Sequence, residues 1–182
     1  GRSRAPHLRS WRDGWRHLRF MLLFSPRWLF VMPGLTLFML GSIVQVLLLP
    51  GRFYLGTISF DISTQLVAAL SMIVGAQLVS LGIFAKTFAV SEGLMPSGSQ
   101  LDRAGRSLQL EYGILAGLLV MAIGVGLLVW AVSLWADVGF GPISGLGVGR
   151  LVVAAVTIII LGFQTISASF FLGVLGLKRR RT

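Results

Sequence analysis

Four uncharged apolar runs constrain this 182-residue chain more than any other feature: roughly residues 28–49, 62–85, 112–136 and 151–177. A helix rising ~1.5 Å per residue needs about 20 apolar residues to cross a hydrocarbon core. Each run reaches that length, and each is too long for an ordinary buried strand. In lipid every backbone polar group must be satisfied internally, which helices do within a single run. The expected fold class is therefore an all-α membrane protein of four transmembrane helices preceded by an amphipathic interfacial helix. Pro50-Gly51 stops the first span, Asp61 or Ser63 is placed to cap the second, and Glu111 stands at the dipole-favoured start of the third. The chain divides into a basic juxtamembrane segment (1–26), a four-helix transmembrane domain (27–177) and a basic tail (178–182). Only 12% of residues are charged, against about a quarter in soluble domains, so most of the surface does not face water.

The charges that remain set the orientation. Fourteen of the sixteen Lys and Arg lie in 2–27, 86–106 and 178–181; the other two are Arg52 and Arg150. With an even number of crossings these three basic segments share one side, and the positive-inside rule makes that side the cytoplasm. The chain is therefore expected to be multi-pass, with both termini cytoplasmic. The net charge of +10 is confined to segments flanking apolar runs, which points to lipid headgroups and away from nucleic acid.

Residues 8–24 read as a different kind of helix. Leu8, Trp11, Trp15, Leu18 and Leu22 follow 3-4-3-4 spacing, while Arg9, Arg12, Arg16 and Arg19 make a cationic stripe, roughly 100° away at 3.6 residues per turn. Such a helix lies in the interface plane, with guanidinium groups reaching lipid phosphates. A plain electrostatic anchor and a specific hold on a phosphorylated lipid both fit. Arg9, Arg12, Arg16 and Arg19 are the candidate lipid-phosphate ligands. Ser25-Pro26 ends this helix and opens the first span.

Inside the spans, Gln45, Gln77 and Gln164, with Ser71, Ser80, Thr165, Ser167 and Ser169, are expected to face other helices and hydrogen-bond between them. No ionisable residue lies mid-span, which disfavours an ion-coupled pathway. Gly113-xxx-Gly117, Ser71-xxx-Gly75 and Ser169-xxx-Gly173 fit close helix packing, and Pro33-Gly34 should bend or loosen the first helix. The glycines of 139–149 superficially resemble a phosphate cradle, but they follow a span rather than a strand of a βαβ unit and read as a flexible loop.

Catalytic machinery is not evident. There is no cysteine, the two histidines lie in the basic head, and no two of the six acids are adjacent or one residue apart. Paired carboxylates for metal-assisted or glycosidic chemistry are lacking, as is a nucleophile–base set. No catalytic residue, metal ligand or cofactor is assigned to this chain.

The segment from His7-Leu8-Arg9 through Asp13-Gly14-Trp15-Arg16-His17-Leu18-Arg19-Phe20 to Phe24-Ser25-Pro26-Arg27-Trp28-Leu29-Phe30 resembles a known juncture. So do Phe60-Asp61-Ile62-Ser63-Thr64, Gly82-Ile83-Phe84-Ala85-Lys86-Thr87, Gly93-Leu94-Met95-Pro96, Gly139-Phe140-Gly141-Pro142 and Gln164-Thr165 through Ser169-Phe170-Phe171-Leu172 to Gly176-Leu177. In order and spacing these are similar to the membrane region of bacterial family 2 glycosyltransferases of the dolichol/polyprenyl-phosphate mannose (glucose) synthase type. The resemblance implies that the chain, which begins at Gly1 rather than Met, is a fragment. It further implies an upstream cytoplasmic GT-A domain, with a divalent metal on an Asp-x-Asp motif, that transfers a sugar from a nucleotide sugar to a polyprenyl phosphate. No Asp-x-Asp occurs here, so the implied role is anchoring. The partners implied are membrane lipids, polyprenyl phosphate among them, and the chain's own GT-A domain, with homo-oligomerisation left open. The alternatives are a self-contained four-helix scaffold or assembly protein, or a lipid-linked sugar flippase.

Overall fold

The computed structural model describes residues 11, 14–15, 27–91, 101–141 and 147–176, with the backbone alone over 101–109. Helix α1 is Met32–Leu48, entered through a π-helical turn at Arg27–Val31. Strands β1 (Phe53–Leu55) and β2 (Ile58–Phe60) follow, then α2 (Ile62–Ser91), α3 (Leu101–Ala136) and α4 (Val148–Gly176). All four helical runs are long and apolar enough to cross a membrane. α2 continues past Ala85 to Ser91, and α3 begins ahead of its apolar run, so both helices carry polar turns beyond their spans.

Local chemistry explains where the helices change character. Pro33 has no N–H to give back to the preceding turn, and the wide π turn sits just ahead of it, where the sequence predicts loosening. Asp61 stands in the N-cap position of α2, its carbonyl accepting from Gln65 N–H at 3.1 Å. α3 stops at a left-handed Gly139 (φ 66°). There the Phe140 N–H bonds the Trp135 carbonyl, the Gly139 N–H bonds that of Ala136, and the Phe140 ring meets Trp135 edge-on at 5.2 Å. These are the two bonds and the hydrophobic contact of a Schellman stop. Residues 139–141, expected to be a flexible loop, are thus a defined helix terminus. Residues 142–146 lie outside the described residues.

The 51–61 segment contains a hairpin. Phe53 pairs with Phe60, Tyr54 with Ser59 and Leu55 with Ile58, around a turn in which Gly56 has φ 64°. Paired residues share a face, so Phe53, Leu55, Ile58 and Phe60 make one apolar side.

The helices stand in a row, α1–α2–α4–α3, with α1 against α2, α4 against α3 and α2 against α4 as the main packings. In each hairpin the neighbours are antiparallel and approach through glycine. A Cβ added to Gly34 would fall 2.8 Å from the Gly75 carbonyl oxygen, and one added to Gly117 would fall 2.8 Å from that of Gly162. One turn-pair on, Gly41 lies against Ala68 and Met72 as Gly124 lies against Ala155 and Ile159. Shifts of 83 residues (α1 to α3) and 87 residues (α2 to α4) carry every member of one set onto the other. The burial agrees: Gly34, Gly41 and Leu48 correspond to the buried Gly117, Gly124 and Ala131. The molecule is therefore built from two similar helical hairpins, related by an approximate two-fold rotation about the seam between α2 and α4.

Candidate functional site

Unlike the antiparallel hairpins, the α2/α4 seam joins parallel helices, and its contacts are polar and aromatic. They occur at both ends and in the middle.

At one end stand the two basic residues that the charge pattern left outside the basic segments. Arg52 Nε lies 2.8 Å from Asp61 Oδ2, and Arg150 Nη2 donates to Asp61 Oδ1 at 2.6 Å. The Arg150 side chain is 14% exposed and that of Arg52 60% exposed. Gln65, fully buried on the next turn of α2, donates through Nε2 to the Arg150 carbonyl at 3.1 Å. Asp61 thus links the residue ahead of β1, the start of α2 and the start of α4. The hydrogen bond from Arg150 is the main reason its carboxyl is held below the usual carboxylate range. The Ile62 N–H and the Arg52 charge act the same way, against partial burial. The Tyr54 hydroxyl and then the Asp61 carboxylate push the Arg52 guanidinium further up. Asp61 was expected to be a cap. That both Arg52 and Arg150 converge on it was not expected, although their being the two bases apart from the basic segments is the signal that could have shown it.

Deeper in the seam, Gln164 Nε2 donates to Gln77 Oε1 at 3.0 Å, about 24 Å along α2 from Asp61 at ~1.5 Å per residue. This pair bears out the expected interhelical amide bond. Two turns further, Phe84 and Phe171 meet at 4.8 Å. A groove of about 340 Å³ opens beside them, lined by both glutamines, Ser80, Ser167 and the rings of Phe84, Phe163 and Phe171. The other polar residues behave differently from expectation. Ser71, Ser80, Thr165 and Ser169 each donate to the carbonyl four residues back in their own helix. Gln45 is buried without a partner among the described residues.

Of the arginine stripe, Arg9, Arg12, Arg16 and Arg19 lie outside the described residues. Trp11, Gly14 and Trp15 from the same segment are helical, and both tryptophans are exposed. Among the described residues no three His, Asp or Glu side chains group to hold a metal ion.

Residues 83–176, just over half of the chain, match the model for the glycosyltransferase family 2 C-terminal transmembrane region. The chain is also 33% identical over 180 residues to the low-salt glycan biosynthesis hexosyltransferase Agl6 of Haloferax volcanii. That alignment covers 96% of this chain and 41% of the relative, so the chain spans about two-fifths of the relative's length. No solved structure matches.

Proposed function

We propose a function on one premise: this chain belongs to the family of glycosyltransferase family 2 C-terminal transmembrane regions. Its four spans anchor such an enzyme in the membrane. The catalytic part is a GT-A domain upstream, which transfers a sugar from a nucleotide sugar to a polyprenyl phosphate at the cytoplasmic face of the bacterial inner membrane. The relative's name as a hexosyltransferase supports a hexose as the group transferred.

The observation that carries this reading is the family match over spans whose flanking charge lies almost entirely on one side. That charge supports both termini being cytoplasmic, where nucleotide sugars are found, and with them an Arg9–Arg19 stripe at the inner headgroup plane. There the stripe holds the carrier's phosphate by charge-assisted hydrogen bonds. The divalent metal is proposed for the upstream domain, as the resemblance to this glycosyltransferase type implies.

The test is direct. The intact protein, reconstituted in vesicles with a nucleotide hexose and a polyprenyl phosphate, is expected to form the lipid-linked hexose. An upstream coding sequence lacking an α/β domain with Asp-x-Asp, or an intact protein inert toward every nucleotide hexose, would overturn the assignment.

A further inference from the structure

Two helices of the chain carry one pattern, Gly-x-Gln-x-x-Ser-x-x-x-Phe. On α2 it is Gly75, Gln77, Ser80 and Phe84; on α4 it is Gly162, Gln164, Ser167 and Phe171. Each glycine packs within its own hairpin, and the remaining positions come to the seam. Within the chain the two copies already associate in parallel, amide to amide at 3.0 Å and ring to ring at 4.8 Å.

That pairing leaves part of the pattern open. Gln77 is exposed, and its Nε2 makes no hydrogen bond among the described residues, nor does the exposed Ser167. Ser80 Oγ donates to the Ala76 carbonyl and keeps its acceptor capacity. These groups lie deep in the span, where no water competes for them and an open polar group is costly. A hydrocarbon tail offers them neither donor nor acceptor. A patch with amide N–H groups beside hydroxyl oxygens is complementary to the same patch turned through a two-fold axis, as in any isologous contact.

We propose that this open side of the α2/α4 seam is a homotypic contact surface, occupied by a second copy of the chain. Gln77 Nε2 of each copy donates to Ser167 Oγ of the other, and Phe163, exposed at the rim, enters the groove opposite. The association is parallel, because both copies keep one orientation in the bilayer. It does not depend on which reaction the intact protein performs.

The chain contains no cysteine, so a single Ser167→Cys in the intact protein, cleared of any other cysteine, reports on this face alone. Leu119→Cys on α3 and Val46→Cys on α1, exposed elsewhere, serve as controls. On oxidation in native membranes, Ser167→Cys is expected to give cross-linked dimer severalfold above both controls. Adding Gln77→Leu with Gln164→Leu is expected to return it to their level. A yield no higher than the controls overturns the proposal, as does a high yield that the leucine pair leaves unchanged. Should the leucine pair fail to fold, Ser167→Trp serves in its place in the same assay with the cysteine moved to Ser80, with the same two outcomes.

Discussion

Asp61 ties the starts of α2 and α4 to the residue ahead of β1, and its two arginines are unequal partners. Arg150 is mostly buried and Arg52 mostly exposed, and an exposed ion pair contributes little. Arg150→Ala is therefore expected to lower the thermal midpoint in detergent more than Arg52→Ala does. The pH dependence follows from the depressed carboxyl. A group whose folded pKa lies below its unfolded one stabilises above the unfolded value, about 4 for Asp, and loses that contribution as pH falls through the folded value. Wild type and Asp61→Asn should thus differ in midpoint at pH 7 and converge on acidification, as read by scanning calorimetry. At the other face, Arg12, Arg16 and Arg19 replaced by Gln should weaken binding to anionic vesicles by ~1 kcal/mol per charge. Unchanged binding and turnover would remove the phosphate role. The sequence marked Asp61 as a helix start because capping is local. Its partner Arg150, 89 residues away, had a signal only in the charge pattern, since no local periodicity reports on which span neighbours which.

At the scale of elements, the hairpins owe their closeness to glycine. A Cβ on Gly75 or Gly162 would fall 2.6 Å from backbone atoms of the facing helix. Gly75→Ala and Gly162→Ala must push the helices apart and should each cost roughly 1–3 kcal/mol, read by unfolding in mixed micelles. Gly126, with nothing within 4 Å of an added Cβ, should accept Ala without loss, since alanine favours the helix by about 1 kcal/mol. Gly113 and Gly117 read from sequence as a packing face without a partner; the structure supplies Ser169 and Ile166 of α4. The four spans were legible because length and hydropathy suffice to find them. The β1–β2 hairpin was not, since its strands are three residues each and give alternation too little room to show.

For the molecule as a whole, orientation is the claim most open to measurement. Thr57→Cys in the hairpin turn should react with an impermeant maleimide added to intact cells. Ser91→Cys, at the end of α2, should react only after permeabilisation; the reverse result would invert the topology and move the arginine stripe away from nucleotide sugars. The number of spans was readable from length and hydropathy, and the helix order was not, because neither reports which span neighbours which.

The duplicated hairpin bears on how the protein is made. Once Ser91 has left the ribosome, Gly34, Gly41, Gly75 and Gly82 have every contact they will use, so the first unit needs nothing from the second to close. The later pair then docks onto a template of its own shape. Two separately synthesised halves, divided between Ser91 and Leu101, should find one another in the same membrane.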